Sequence, residues 1–431
     1  MRVVVIGSGG REACLARVLG RTAEVVVTPG NAGIAGSVDT PPEELEADLF
    51  VVGPEQPLVD GLADRLRAQG KVVFGPGADG AQVEGSKAYM KELAQAAGVP
   101  TAPYGVFADA DDAVAFLQTM APPYVVKTDG LAAGKGVLVT RDLGEAEADV
   151  RAKLAGDAFG DAGRTVVIEE AMTGPEVSVF ALCDGVRAVA LEPAQDFKRL
   201  GDDDTGPNTG GMGAYSPLSW LEPGFADDVI KRFVQPTLDE LRRRGIDYRG
   251  LLYTGLMVTD EGPKLVEYNI RFGDPDGQVV LLRLTTDLAQ LLHEAATGAL
   301  RTEPTFDPGA AVLVVVAAEG YPTAARTGDA IQGLDAAASL DGVDVLCAGV
   351  AAGPDGQLVT AGGRVVEVVG QGPDLPTAWE RAYAGVGLLE WPGAHHRTDI
   401  AIEGGDLDAE AELRRRTSRS RSSTGAEPRE G

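Results

Sequence analysis

Asp129-Gly130-Leu131-Ala132-Ala133-Gly134-Lys135-Gly136 stands between two short β-prone runs, Tyr124–Thr128 and Val137–Thr140. Two strands joined by a glycine-rich link read as a hairpin. Glycine amides can close over phosphate oxygens, and Lys135 adds a positive charge. The run is not a P-loop. A Walker A motif has four residues between its glycines, Ser or Thr after its lysine, and a helix beyond. Here three residues separate Gly130 from Gly134, Gly136 follows the lysine, and a strand follows that. The pattern therefore predicts a glycine hairpin that covers a phosphate and shuts out water. The competing reading is a plain surface hairpin, against which Lys127 and Asp129 on its flank weigh.

Upstream, residues 1–82 alternate strand and helix: strands Val3–Ile6, Glu24–Thr28, Asp48–Val52 and Val72–Gly75, helices Arg11–Leu19 and Pro57–Gln69. Such alternation predicts a parallel sheet covered on both faces. A second region, 83–300, opens on the helix Lys87–Ala97, closed by Gly98 and Pro100. It contains the hairpin within a lobe of about 121–182, then strands Thr165–Glu170 and Glu176–Leu182 with Gly174-Pro175 as their turn. A long loop is expected over 195–217, a helix over Phe225–Arg243, strands Gly250–Thr259 and Pro263–Asn269, and helices Gln278–Leu284 and Asp287–Thr297. A smaller α+β domain is expected over 301–403, with strands Ala310–Ala318 and Arg364–Val369 and the helix Leu375–Val386. Residues 404–431, charged and poor in apolar residues, read as a disordered tail.

Bulk properties narrow the chemistry. The 431 residues carry a net charge of -27, which argues against nucleic acid as a partner. No run of about 20 uncharged apolar residues exists, so no membrane partner is expected. The three cysteines, Cys14, Cys183 and Cys347, are scattered, and the N-terminus has no signal-peptide pattern, so a cytoplasmic protein is expected. The three histidines, His293, His395 and His396, accompany no nucleophile motif, which sets aside a Ser-His-Asp triad and a histidine-bound metal.

Three further motifs bear chemistry. Gly7-Ser8-Gly9-Gly10 follows the first strand and opens a helix, a setting suited to phosphate. A dinucleotide fold would need a carboxylate at the end of strand two, where Thr28-Pro29-Gly30 stands instead. Glu267 and Asn269 fall on one face of a strand and offer hard oxygen ligands to Mg²⁺. Ile168-Glu169-Glu170-Ala171-Met172, with Glu176 beyond, offers a strand end for an adenine edge and a carboxylate for ribose.

Taken in order, these motifs resemble the ATP-grasp superfamily, in which two α+β lobes clamp ATP. Val52-Gly53-Pro54-Glu55, Gly85-Ser86-Lys87, Gln195-Asp196-Phe197-Lys198-Arg199, the block Asp204–Pro217 and Arg271-Phe272-Gly273-Asp274-Pro275 resemble the phosphoribosylamine–glycine ligase family more closely, over residues 1 to about 400. The Asp204–Pro217 block is the most specific of these. The resemblance implies a parallel-sheet N-terminal domain, an ATP-grasp core and a small α+β C-terminal domain. It implies ligation of glycine to 5-phosphoribosylamine through glycyl phosphate, with ATP and Mg²⁺ or Mn²⁺, by a monomer. The first alternative is an ATP-grasp ligase with other substrates; the second is a non-catalytic ATP-binding relative.

By position, the resemblance implies that Lys87, Lys127, Gly134, Lys135 and Gly136 meet ATP phosphates. Glu169 and Met172 would border adenine, Glu176 the ribose, and Glu267 and Asn269 the metal. Arg271 and Asp196 would hold glycine and, with Lys127, serve catalysis. Gly9, Gly10, Glu12, Lys198 and Asp274 would serve the substrates, the first four lying near phosphoribosylamine. The chain departs from the family's pattern at Ala13, Phe197, Asp276 and Ala401, and in a short segment between Asn31 and Asp48.

Overall fold

The computed structural model describes residues 1–131, 136–156 and 164–402. Gly134, Lys135 and the tail from 404 lie outside the described residues. Four parallel strands form the first sheet in the order Glu24–Pro29, Arg2–Gly7, Leu49–Val52, Val73–Phe74. The central strand is apolar and buried on both faces, as a helix-covered parallel sheet requires. The expected helix over 57–69 is instead two short helices, Glu55–Val59 and Leu62–Ala68. Gly61 separates them at φ +76°, a left-handed conformation that no right-handed helix continues through. The short 31–48 segment connects its flanking strands with only a 3₁₀ turn at Pro42–Glu44.

The glycine-rich run does join a hairpin. Tyr124–Thr128 pairs antiparallel with Val137–Thr140, Lys127 opposite Val137. With Val166–Glu170 and Tyr104–Phe107 they make a four-stranded sheet whose inner face packs on the helices Ala110–Leu117 and Leu143–Leu154 through Val114, Leu117, Val126, Val150 and Ile168. This is the smaller lobe. The larger lobe is the sheet Ala188–Ala190, Glu176–Asp184, Arg249–Thr259, Gly262–Asn269. Gly174-Pro175 is therefore not a hairpin turn. It carries the chain from one sheet into the other, so the link at 171–175 is the seam between the lobes.

The stretch 195–217, expected as a loop, holds four short strands: Gln195–Asp196, Arg199–Gly201, Thr205–Asn208 and Gly213–Ser216. Gly213–Ser216 pairs with Ala310–Ala317, so the five-stranded C-terminal sheet takes two strands from the middle of the chain. Its polar, glycine-rich composition hid them, because pairing rather than apolar alternation holds them in place. The helix Leu375–Val386 covers that sheet. Among the described residues no helix is long and apolar enough to cross a membrane.

Candidate active site

The first cluster grows from two adjacent strands and one helix. The helix Lys87–Ala96 starts at Ser86, whose side chain caps it, and Asp129 accepts from the Ala88 amide and from Ser86. That anchors the flank of the glycine-rich run to the helix, and Lys87 Nζ donates to the Gly130 carbonyl at 3.2 Å. One turn on, Lys91 is wholly buried and ion-pairs with Glu169 at 2.6 Å. Lys127, on the neighbouring strand, approaches the other oxygen of Glu169 at 2.8 Å. Burial alone would push the Glu169 carboxyl up, but Lys127 and Lys91 outweigh it and hold it below its usual range. Burial pushes Lys91 down to about 8, with Glu169 resisting and Lys127 adding to the fall.

Glu169, read from sequence as an adenine neighbour, is thus the anion between two lysines. Met172 lies half-buried in the seam after it. Glu176 opens the first strand of the larger lobe and pairs with Lys198, which also reaches Asp196 at 3.0 Å. Lys198 and the attraction it supplies hold Glu176 below its usual range. Burial pushes Asp196 up to about 6, with Lys198 opposing and Asp276 and Glu176 adding. Gly136 is buried at the base of the hairpin, its carbonyl accepting from Thr128.

Glu267 and Asn269 stand half-buried, two residues apart on Gly262–Asn269. Among the described residues no lysine or arginine pairs with Glu267, and no cluster of three His, Cys, Asp or Glu could hold a metal. The donor set fits a hard cation that takes two ligands from the chain and the rest from phosphate and water, the habit of Mg²⁺. Arg271 follows at the strand's end. Its guanidinium is shared by Glu55 at 3.2 Å and Glu84 at 3.3 Å. Burial pushes Glu84 up to about 7, Arg271 opposing.

A second cluster lies across the N-terminal and C-terminal domains. Glu12 accepts from the Gly9 amide at 2.7 Å and from Arg11 at 2.6 Å, and is buried. Its carboxylate is spent on holding the Gly7–Gly10 turn, a capping box that leaves Gly9 and Gly10 at the start of the helix Gly10–Leu19. Asp274 is tied by Arg364 at 2.6 Å and by Gln278 at 2.9 Å. Beside the turn, a cavity of about 390 Å³ is lined by Ser8, Asn31, Ala348, Gly349 and Val350. Asn31 spans it, donating to the carbonyls of Ser8, Cys347 and Ala348. The structure thus brings Lys87, Lys127, Glu169, Glu267, Asn269 and Arg271 onto facing strands and helix, and Gly9, Gly10, Glu12 and Asp274 into a separate group. Lys198 goes with Glu176 and Asp196.

Three family models match successive parts of the chain: the phosphoribosylglycinamide synthetase N domain over residues 1–84, its ATP-grasp (A) domain over 85–277 and its C domain over 311–403. The chain belongs to the phosphoribosylglycinamide synthetase family. A phosphoribosylamine–glycine ligase of Streptomyces coelicolor is 49% identical over 423 residues, covering 94% of this chain and 99% of that protein. One from Mycobacterium tuberculosis H37Rv is 47% identical over 93% of this chain and 98% of its own length. The crystal structure of the Thermotoga maritima phosphoribosylamine–glycine ligase superposes with a TM-score of 0.84 at 33% identity, covering 93% of this chain and all (100%) of that one. The biotin carboxylase domain of a Hydrogenobacter thermophilus 2-oxoglutarate carboxylase shares the fold at a TM-score of 0.69 and 18% identity, over 91% of each chain. Members of this synthetase family are ATP-grasp ligases, and ATP with a divalent metal follows from the fold.

Reading the sequence missed Lys91, Glu84 and Glu367. Lys91 sits four residues after Lys87, one helical turn away, which is a signal. Glu84 lies near the end of an unrecognised helix, Ala78–Gly85. Glu367 is the one charged residue inside the apolar run Val365–Val369, and an acid in such a run always needs explaining.

Proposed function

We propose that this chain joins glycine to 5-phosphoribosylamine at the expense of ATP, giving glycinamide ribonucleotide, ADP and phosphate. The observation that carries the reading is the match to a ligase of that name at 49% identity over 94% of this chain, with all three domains of the family matched. A glycine carboxylate oxygen attacks the γ-phosphorus of ATP and ADP leaves, forming glycyl phosphate. The amine of phosphoribosylamine then attacks the acyl carbon, phosphate leaves, and the amine loses a proton. No enzyme nucleophile takes part, so the chain's work is positioning and charge stabilisation.

We assign Lys87 and Lys127 to the ATP phosphates, with Gly134, Lys135 and Gly136 of the covering hairpin. The Lys91–Glu169 pair fixes Lys127 in place. Met172 and the strand end at Glu169 border adenine, and Glu176 the ribose. Glu267 and Asn269 hold Mg²⁺ or Mn²⁺, which when bound offsets the charge of the transferring phosphoryl group. Arg271 pairs with the glycine carboxylate, and Asp196 faces the glycine amine. Gly9 and Gly10, shaped by Glu12, take the phosphate of phosphoribosylamine beside the Asn31 cavity; Asp274 supports that turn, and Lys198 closes the substrate pocket from the Asp196 side. The enzyme is read as a cytoplasmic monomer without nucleic-acid or membrane partners. Its domains are read as 1–82, 83–300 and 301–403.

A coupled ADP assay with each substrate omitted in turn tests the reading. ADP release that needs glycine and phosphoribosylamine together supports it. Release supported by bicarbonate would move the chain to a carboxylase, and ATP binding without substrate-dependent turnover to a non-catalytic relative.

A further inference from the structure

Glu367 sits in the middle of the C-terminal strand Arg364–Gly372, wholly buried. Its carboxyl lies flat against Gly10, where an added Cβ would fall on it. Gln278 Nε2 donates to Glu367 Oε2 at 3.0 Å and to Asp274 Oδ1 at 2.9 Å, so one amide spans the two acids. Asp274 Oδ2 is in turn held by Arg364 at 2.6 Å and lies within 3.9 Å of a Cβ built on Gly9. Among the described residues none donates to Glu367 Oε1, which is shut off from solvent. An ionised carboxylate so placed would be an uncompensated buried charge beside a second carboxylate. An acid hydroxyl needs no donor, and Asp274 is there to accept from it.

We propose that Glu367 is a positioning residue for the amine substrate: as a carboxylic acid donating to Asp274, it locks the C-terminal sheet to the Gly9–Gly10 turn without placing negative charge behind it. The charged and titratable groups facing it bear on this balance. Burial is the main cause that pushes Glu367 up, Asp274 adds to it and Arg364 opposes. Cys14 on the helix below and Cys347 on the flanking region are themselves pushed up, by burial first and with Glu367 contributing. Arg11 faces Asp274 from the N-terminal domain. The charges then cancel in pairs, Asp274 with Arg364 and Glu12 with Arg11. Backbone amides at a helix start can then receive a phosphate with no net anion in their second layer.

The inference rests on the assignment of phosphoribosylamine to that turn. Its test compares wild type, Glu367→Met and Glu367→Gln in the ADP assay, with the infrared carbonyl band of a protonated carboxylic acid as a readout independent of turnover. Glu367→Met, which cannot donate, should raise KM for phosphoribosylamine at least about tenfold, the equivalent of one lost hydrogen bond to a charged group, while KM for ATP stays within about twofold. Glu367→Gln, neutral and able to donate, should restore KM to within about threefold of wild type. The acid band should be present in wild type at neutral pH and missing in Glu367→Gln. A Gln variant as impaired as Met, an unchanged KM in the Met variant, or identical infrared spectra for wild type and Gln would overturn the proposal. Failure of the wild type to use phosphoribosylamine would instead overturn the functional reading, leaving the infrared result to stand separately.

Discussion

Glu169 and Glu367 are both buried acids on sheet strands, and the structure treats them in opposite ways. Glu169 has a lysine at each oxygen and stays ionised. Glu367 has another carboxyl and an amide for neighbours, and burial drives it towards the neutral acid. Burial is the same in both, so the neighbours decide the charge. The difference maps onto the cleft. On the proposed assignment, the nucleotide side keeps its lysines charged and fixed, as phosphates require. The side proposed for the amine substrate cancels its charges in pairs and offers amides instead.

The strongest challenge to this division is Glu267→Ala. Glu267 is a carboxylate that the described lysines and arginines leave unpaired, two residues from Asn269 on the same strand, which is why we give it to the metal. Its removal should lower kcat at least about a thousandfold in the ADP assay, the scale of losing a principal electrostatic stabiliser. Stability should move little, because the side chain is only half-buried. Full activity in this variant would sink the metal assignment.

Glu169→Gln tests the other half of the claim, that the acid is there to hold lysines. Gln keeps the shape and leaves Lys91 and Lys127 buried without their counter-charge. Breaking one partner of a buried ion pair costs about 3–5 kcal/mol, to be read from urea unfolding. Adding Lys91→Met should return part of the loss. If the double variant is no better than the single, the pair is not what holds Lys127.

How far these sites were legible in the sequence follows from the kind of interaction. The hairpin at Tyr124–Thr140, the parallel sheet and the strand Gly262–Asn269 could be read because local periodicity and turn chemistry encode them. Lys87, Glu267 and Arg271 could be singled out as candidates because they stand in recognisable motifs. The strands within 195–217 could not: Gly213–Ser216 finds its partner about a hundred residues on, at Ala310–Ala317, and the three others, which pair within the stretch, are too short and polar to show a strand period. Lys91 and Glu367 were invisible as charge-bearing pairs for the same reason. Lys91 meets Glu169 across 78 residues, and Glu367 meets Gln278 across 89. A long-range pair leaves no local pattern.

Glu84 is the intermediate case, an acid near a cation that burial still pushes up to about 7. Its folded state holds the proton more tightly than the unfolded chain does, so it lowers stability as pH rises from 4.5 to about 7 and the loss is complete above that. At about 1.36 kcal/mol per pH unit the span is worth about 3 kcal/mol. Glu84→Gln lacks this titration. The stability of the variant relative to wild type should therefore climb through that window and then level off. A pH-independent difference would show that Arg271 keeps Glu84 ionised, making it a second Glu169.

The smallest effect asks whether Glu367 is held against the turn by packing at all. Gly10 has an ordinary helical conformation, so alanine there meets no backbone strain. What it meets is the Glu367 carboxyl, which Gln278 holds and which has no exposed space to retreat into. Overpacking of this kind costs about 1–3 kcal/mol. Glu367→Ala alone leaves a cavity, yet it removes the atoms that the new methyl would strike. In a double-mutant cycle Gly10→Ala should therefore be less damaging in the Glu367→Ala background than in wild type, a coupling that only groups in contact produce. Additive costs would mean that the C-terminal strand and the glycine turn are neighbours without being engaged, and the contrast with Glu169 would then rest on charge alone.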